Sequence, residues 1–175
     1  MNLVKVSANL IVGSDGSTSL NGSSMGLSND EDRRRFQQLR QRSDLIVIGG
    51  NTARREPYKR TPIPLYILTH SKIKLQPKNQ LARQFQLSPS ELIDEIAKNF
   101  KSIKDQIPIN ILVESGPKLL LAMIKESLVD ELYLTVNLNK IGENRLSIEE
   151  MTKSFKLISK EIIEQCEFRQ YKKLA

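Results

Sequence analysis

Histidine, cysteine and tryptophan are scarce in this sequence of 175 residues, which has one histidine, His70, one cysteine, Cys166, and no tryptophan. A single histidine and a single cysteine exclude a histidine-cluster metal site and give no support to a Cys–His nucleophile or a Ser-His-Asp triad. A lone cysteine cannot form an internal disulfide, which is typical of a protein in a reducing compartment. We therefore predict no metal site and no nucleophilic side chain.

Long apolar runs are also missing. No segment is apolar over the length needed to span a bilayer, and no charged segment followed by a short apolar run opens the chain. Hydrophobic residues nevertheless make up 39% of the sequence, which is enough for a real core in a chain of this length. No linker-like segment divides the chain. We expect a single cytoplasmic domain over residues 1–175, without a membrane partner.

The usual phosphate-binding fingerprints are absent as well, since the sequence has neither a Walker pattern nor a Gly-x-Gly-x-x-Gly motif. The net charge is +7 and aromatic residues are only 5% of the chain. The charge fits a solvated basic surface, an anionic small ligand or nucleic acid. Nucleic-acid modules and stacking aromatics are lacking, so an anionic small ligand is favoured. The concentrated arginines flank a pair of glycines: Arg33, Arg34, Arg35, Arg40, Arg54 and Arg55.

That glycine pair forms the first of two strand-to-helix junctions. The apolar strand Leu45–Ile48 runs directly into Gly49 and Gly50, followed by Thr52 and Arg54. Glycines at the end of a strand let a large ligand approach the backbone, because no Cβ stands in the way. A threonine hydroxyl and a fixed positive charge suit a phosphorylated ligand.

The second junction follows the apolar strand Ile109–Val113 and reads Glu114-Ser115-Gly116-Pro117. The open N–H groups and the dipole of the following helix would bind a diphosphate. Taken alone, this is equally an ordinary helix start, and Glu114 is either an exposed residue or a hydrogen-bond partner of a ligand ring. Two such junctions in one small chain favour a nucleotide-type cofactor held between strand ends.

The remaining pattern alternates strands with helices. Capping boxes at 28–31 and 88–91 open two helices, and a third helix is expected over about 117–127. Residues 13–28 resemble a polar Gly/Ser-rich loop. The predicted strands are 2–12, 45–48, 65–68, 109–113, 131–136 and two at the end near 155–158 and 167–171. This order predicts an α/β fold with a mostly parallel central sheet, helices on both faces and an antiparallel C-terminal hairpin.

Several short motifs occur in a characteristic order across nearly the whole chain. They are Ser14-Asp15-Gly16, Gly22-Ser23-Ser24, Asp32-Arg33 with Leu39-Arg40, Gly49-Gly50-Asn51-Thr52 with Glu56, Glu114-Ser115-Gly116-Pro117-Lys118-Leu119 and Leu128-Val129-Asp130-Glu131-Leu132. Each motif is weak alone. As an ordered set they resemble the reductase domain of bacterial riboflavin biosynthesis, which has the dihydrofolate-reductase-like fold.

The resemblance implies an enzyme that uses NADPH to reduce 5-amino-6-(5-phosphoribosylamino)uracil to the ribitylamino compound, and a homodimer. Hydride transfer of this kind can depend on positioning and electrostatics, with the cofactor supplying the difficult step. Two alternatives remain open. One is a reductase of another heterocycle such as dihydrofolate, and the other is a non-enzymatic basic protein that binds nucleotides or RNA.

The resemblance and the two junctions together give a set of site residues. The predicted NADPH-binding residues are Ile11, Gly49, Gly50, Thr52, Arg54, Glu56, Ser71, Ser115, Gly116, Pro117, Lys118 and Leu119. The predicted substrate-binding residues are Ser24, Arg40, Arg60 and Glu114, with Arg40 gripping the substrate phosphate through its bidentate fork. Asp15 or a water molecule would donate the proton. Ser115 and the turn Gly13-Ser14-Asp15-Gly16 depart from the family pattern, and the zinc deaminase domain that often accompanies this reductase is absent from the sequence.

Overall fold

An eight-stranded sheet forms the centre of the computed structural model, which describes residues 3–102 and 107–175. Its strands, together with two short strands that pair separately, are β1 (Val4–Gly13), β2 (Ser17–Ser19), β3 (Leu45–Gly49), β4 (Leu65–Leu68), β5 (Ala82–Phe85), β6 (Ile109–Val113), β7 (Glu131–Asn137), β8 (Glu143–Arg145), β9 (Phe155–Ile163) and β10 (Cys166–Lys173). The helices are α1 (Asp30–Arg42), α2 (Gly50–Arg55), α3 (Pro89–Asn99), α4 (Pro117–Lys125) and α5 (Ile148–Thr152), with a 3₁₀ helix at Ser24–Leu27. Residue 2, the first of the predicted strand 2–12, lies outside the described residues.

The strand order is β5-β4-β3-β6-β1-β7-β10-β9. Each neighbouring pair from β5 to β7 is parallel. Strand β10 runs antiparallel to β7, and β9 runs antiparallel to β10. The predicted fold class is therefore confirmed, including the antiparallel hairpin at the C-terminal end.

Burial on both faces of the sheet explains why the central strands are continuous apolar runs. In β3, Leu45 and Val47 pack into one buried cluster with residues of α3 and α4. Ile46 and Ile48, which point the other way, pack into a second cluster with Ala53 of α2. A parallel strand covered on both faces has no solvent side, so it shows no polar alternation.

Two helix starts show how local sequence sets the boundaries. In α3, Ser88 and Glu91 form the predicted capping box, with proline in the first turn. The start of α1 differs from the prediction, because Asn29 rather than Ser28 is the N-cap and accepts a hydrogen bond from the Asp32 N–H. The Ser28 hydroxyl instead donates to the Asp32 carboxylate at 2.6 Å. None of the helices in the described ranges is long and apolar enough to cross a membrane.

The predicted loop at 13–28 is wrong in part, since it contains β2 and the 3₁₀ helix. The three residues of β2 are polar but buried, and the strand pairs with β8. Serine and threonine next to glycine are the usual signature of a turn, so the local sequence hides a strand that only a distant partner completes. Strands β5 and β8 and helix α5 were missed for a related reason, because each is too short to show a period, whereas α2 is the helix expected at the first junction.

Candidate active site

A cavity of about 1250 Å³ opens at the carboxyl ends of the central parallel strands. Its lining includes Ile11 of β1, Gly49 at the end of β3, Leu68 at the end of β4 and Glu114 directly after β6. This edge is where ligands bind in open α/β sheets. Since single drug-sized ligands occupy roughly 300–1,000 Å³, the cavity has room for two small molecules side by side.

The helix that begins at the second junction has an open N-terminus. Its N-cap is Gly116, which makes no side-chain capping hydrogen bond. Helices α1, α3 and α5 are instead capped by the side chains of Asn29, Ser88 and Ser147. Pro117 has no N–H and the Gly116 N–H is bonded to Thr52, so the N–H groups of Lys118 and Leu119 are those left for a ligand, and the helix dipole makes this end attractive to an anion.

Two hydroxyl groups stand beside this helix start. The Ser115 side chain lines the cavity and is buried, and its Oγ has no hydrogen-bond partner among the described residues. The Thr52 Oγ1 accepts a hydrogen bond from the Gly116 N–H at 2.9 Å, which leaves its own proton to be donated elsewhere. A buried hydroxyl without a partner is costly, so the Ser115 hydroxyl suits a ligand with acceptor oxygens, and the Thr52 proton can be donated to the same ligand.

Gly50 and Gly116, one glycine from each junction, differ in how much space a side chain would have. A Cβ on Gly50 would approach the Thr69 Oγ1 to 2.5 Å, so Gly50 is required by packing. A Cβ on Gly116 would meet only the Thr52 Oγ1, at 3.6 Å. Gly116 is thus not forced by its protein neighbours, and its bare backbone is open to the cavity.

Several cationic residues line the same cavity. Arg54 and Arg55 at the end of α2 line it, as do His70 and Ser71 after β4 and Lys118 in the first turn of α4. Arginine and lysine beside open backbone amides would attract phosphate groups. We refer to these five residues together with Ser115 and Gly116 as the cationic end.

Arg40, Glu114 and Tyr58 form a closed hydrogen-bonded cluster in the wall of the cavity. The Arg40 Nε donates to the Glu114 Oε1 and its Nη2 donates to the Oε2, both at 2.7 Å. The Tyr58 hydroxyl donates to the same Oε2 at 2.8 Å. The Glu114 side chain is 1% exposed and that of Arg40 is 19% exposed. Burial and the neighbouring Glu114 charge raise the pKa of Tyr58 well above its usual range, so the hydroxyl stays protonated and keeps donating.

Aromatic rings hold the guanidinium of Arg40 in place. Its Cζ lies 4.4 Å from the centre of the Phe36 ring and 5.6 Å from that of Tyr58. Both aromatic residues were missed as site residues in the sequence. Tyr58 follows α2 in an irregular segment without periodicity, so no pattern in the sequence marked it as a site residue.

Glu56 and Ser24, predicted to bind cofactor and substrate respectively, contact each other. The Glu56 Oε1 accepts hydrogen bonds from both the N–H and the hydroxyl of Ser24 at 3.0 Å. The Ser23 hydroxyl also donates to this carboxylate at 3.2 Å. Glu56 therefore ties the start of the 3₁₀ helix to the end of α2 across the cavity.

Asp15 and Arg60 are not brought to the cavity lining. The Asp15 carboxylate accepts from the Ser17 N–H at 3.1 Å and pairs with the Arg145 Nε at 2.6 Å. Hydrogen bonding to Ser17 and the charge of Arg145 lower the pKa of Asp15. An ionised carboxylate outside the cavity has no proton to donate at neutral pH, so this geometry does not support the expected role of Asp15 as proton donor. Arg60 is exposed.

The other predicted residues meet in one place. All twelve predicted NADPH-binding residues line the cavity, as do Ser24, Arg40 and Glu114 of the predicted substrate set. Residues from widely separated parts of the chain are thus assembled around one space. Which ligand each of them contacts stays a prediction.

The fold and the site define an α/β protein of the dihydrofolate-reductase type, with a cavity large enough for a dinucleotide and a second ligand. The model of the RibD C-terminal domain family matches residues 4–167. The chain belongs to this family, which confirms the resemblance drawn from the motifs.

Solved structures agree on the fold. RibD from Acinetobacter baumannii superposes with a TM-score of 0.72 at 18% identity, over 98% of this chain and 58% of that one. A pyrimidine reductase-like protein from Corynebacterium diphtheriae superposes with a TM-score of 0.71 at 19% sequence identity, over 99% of this chain and 93% of that one. Dihydrofolate reductase from Enterococcus faecalis superposes with a TM-score of 0.68 at 13% sequence identity, over 98% of both chains. The chain thus spans less than two thirds of the RibD chain, and no curated protein gives a significant match.

Proposed function

We propose that this protein is an NADPH-dependent pyrimidine reductase that reduces 5-amino-6-(5-phosphoribosylamino)uracil in riboflavin biosynthesis. The observation that carries the proposal is the meeting of the predicted NADPH residues around one cavity, beside a second group of predicted substrate residues. Membership of the RibD C-terminal domain family supports the same function. So does the likeness to a pyrimidine reductase-like protein and to a dihydrofolate reductase whose structure was solved with NADP(H).

The cationic end fits the cofactor. The open start of α4 and the unpartnered Ser115 hydroxyl would hold the diphosphate, with the Thr52 hydroxyl beside them. Arg54 and Ser71 would hold the adenosine phosphate. When bound, NADPH supplies the hydride.

The chain's own residues would then position the substrate. Ser24 is fixed by Glu56, and Arg40 is fixed by Glu114, so both present themselves to the substrate without further ordering. Such preorganisation lowers the entropic cost of reaching the reactive geometry. Since Asp15 is ionised and lies outside the cavity lining, we assign the proton to a solvent water molecule.

The direct test is turnover by the purified protein without added metal. We expect the absorbance of NADPH to fall when the phosphoribosylaminouracil is added, and not when dihydrofolate is added. Turnover of dihydrofolate alone would move the assignment to a pterin reductase. Strong binding to RNA that weakens steeply with salt, without binding of NADPH, would move it to a nucleic-acid-binding protein.

The cofactor preference is a second test. We expect the catalytic efficiency with NADPH to exceed that with NADH by roughly tenfold or more, because one charge-assisted contact to phosphate is worth about 1.5–3 kcal/mol. Arg54 and Ser71 are the residues that would provide it. Steady-state kinetics with both cofactors at one salt concentration measure the ratio. Equal efficiencies would refute the placement of the adenosine phosphate at the cationic end.

We further propose that the chain acts as a single cytoplasmic domain in a homodimer, as the resemblance implies. Light scattering of the purified protein measures the mass directly, and a monomer at micromolar concentration would contradict the assembly.

A further inference from the structure

Among the residues that the structure describes, the carboxylates that line the cavity are those of Asp32, Glu56, Glu91 and Glu114. Glu114 is neutralised by Arg40, which binds both of its oxygens. Glu91 is exposed and belongs to the capping box of α3. The Oε1 of Glu56 already accepts three hydrogen bonds. These three carboxylates are therefore occupied by contacts within the protein or surrounded by water.

Asp32 differs from the other three carboxylates. It is only 7% exposed, and in the described part of the chain its carboxylate accepts a single hydrogen bond, from the Ser28 hydroxyl to Oδ2 at 2.6 Å. No arginine or lysine within the described ranges forms an ion pair with it. The two acidic residues that precede it in α1 do have such pairs, Asp30 with Arg33 and Glu31 with Arg34 and Arg35.

A second group near this carboxylate does not compensate its charge either. Burial, followed by the charges of Asp32 and Glu164, raises the pKa of the Cys166 thiol to about 11, so the thiol stays neutral at neutral pH. A buried carboxylate without a cation is costly, and proteins retain such costs mainly at functional sites. The Asp32 carboxylate is thus suited to contact a positively charged group of a ligand.

The position of Asp32 on α1 relates it to the predicted substrate site. Asp32, Phe36 and Arg40 follow one another at intervals of four residues, so they share one face of the helix, and all three line the cavity. The Arg40 Cζ lies 4.4 Å from the centre of the Phe36 ring, and Asp32 lies about 6 Å further along the helix axis than Phe36. A substrate whose phosphate lies at Arg40, as predicted, and whose sugar runs along Phe36 would bring its C1′ towards Asp32.

The proposed reaction develops a positive charge at that carbon. Reduction of the ribosylamine at C1′ requires its bond to the ring oxygen to break. The lone pair of the exocyclic nitrogen forms the C1′=N bond, and the electron pair of the C1′–O bond leaves with the oxygen, which takes a proton from solvent. The resulting iminium is a cation. When C1′ accepts the hydride, the electron pair of the C=N π bond returns to nitrogen and leaves a neutral amine.

We propose that Asp32 is a catalytic residue, whose carboxylate accepts a hydrogen bond from the exocyclic nitrogen of the substrate and stabilises the iminium that forms when the ribosylamine ring opens. A fixed charge placed where the opposite charge develops lowers the barrier without reorganisation at the moment of reaction. The proposal rests on the proposed reductase function. It adds to the site a residue that neither predicted set contains.

The first test compares Asp32→Asn with Asp30→Asn. Both substitutions remove one negative charge from the first turn of α1, but Asp30 is 100% exposed and does not line the cavity. We expect kcat of Asp32→Asn to fall by about tenfold or more, the value of a charge-assisted hydrogen bond, with little change in KM because the charge forms only after binding. Asp30→Asn should stay within about twofold of the wild type, the range of a surface substitution.

Stability separates this role from a structural one. The midpoint of thermal unfolding of Asp32→Asn should be no lower than that of Asp30→Asn, because a buried amide needs no compensating cation. A fall in kcat of less than about tenfold, or a loss of kcat accompanied by a lower unfolding midpoint, would overturn the proposal.

A second test needs no turnover. Two sugar phosphates of the same shape, 1,4-dideoxy-1,4-iminoribitol 5-phosphate and 1,4-anhydroribitol 5-phosphate, are titrated into the NADPH-saturated protein. The first has a protonated nitrogen next to C1′, whereas the second has a neutral oxygen there. We expect the wild type and Asp30→Asn to bind the cationic compound about tenfold or more tightly than the neutral one, and Asp32→Asn to lose this preference. A wild type without the preference, or its persistence in Asp32→Asn, would contradict the proposal.

The two tests distinguish this inference from the function on which it rests. A wild type that does not turn over the phosphoribosylaminouracil would remove the proposed function and this inference with it. An active wild type matched by an equally active Asp32→Asn would remove this inference alone.

Discussion

Replacing Arg40 by alanine should lower the free energy of unfolding by about 3–5 kcal/mol, because it leaves a buried carboxylate without its partner. The side chain of Glu114 is 1% exposed, and both of its oxygens bind Arg40. After the substitution the Tyr58 hydroxyl would be the only donor to this carboxylate left among the described residues. Urea denaturation of the free protein measures the loss.

Two further variants identify its cause. In the triple variant Arg40→Met, Glu114→Leu and Tyr58→Phe most of the stability should return, because apolar groups of similar size need no compensating charge and no hydroxyl is left without its acceptor. Arg42→Ala removes an exposed arginine from the same last turn of α1 and should change stability by less than about 0.5 kcal/mol. If Arg40 were primarily a ligand for the substrate phosphate, Arg40→Ala would weaken substrate binding and leave the stability of the free protein nearly unchanged.

The sequence patterns assigned Arg40 and Glu114 to the candidate site, but they did not predict which side chains these two residues bind. Arg40 and Glu114 could be placed in one site, because each belongs to a motif of the family. Their direct pairing could not be predicted, since they lie 74 positions apart and nothing local in either segment refers to the other. The same holds for Tyr58, which no helical or strand period marks and which reaches Glu114 only through the tertiary fold.

The strands show the same contrast: some can be predicted from their own residues, whereas others form only because a strand far away in the sequence pairs with them. The strand Leu45–Ile48 could be predicted because parallel strands buried on both faces appear as short, continuous apolar runs. Strand β2 could not, because Ser17, Thr18 and Ser19 indicate a turn until β8 supplies the backbone partner. The ion pair of Asp15 with Arg145 could not be predicted for a related reason, since the two residues lie 130 positions apart in the chain.

Valine in place of Gly116 should weaken NADPH binding by roughly ten- to a hundredfold, the loss expected when charge-assisted contacts to a phosphate are broken. The substitution is chosen because the protein itself tolerates a side chain there. The nearest atom to an added Cβ is the Thr52 Oγ1 at 3.6 Å, and Gly116 makes no side-chain cap that could be lost. The two γ-methyl groups of valine would instead occupy the space in front of the first amides of α4, where the diphosphate is expected.

A graded series separates crowding of the ligand from damage to the helix. Gly116→Ala should reduce NADPH affinity less than Gly116→Val, because it adds one carbon rather than three. The free energy of unfolding of both variants should lie within about 1 kcal/mol of that of the wild type, which is the usual range for changes at an N-cap. Titration of each folded variant with NADPH gives the affinities, and thermal unfolding without ligand gives the stability. Unchanged affinity in a folded Gly116→Val protein would contradict the diphosphate site at α4. The unpartnered hydroxyl of Ser115 would then need another occupant. If both affinity and stability fell in parallel across the series, the glycine would be a structural requirement of the helix start, and the open amides would not be evidence for a ligand.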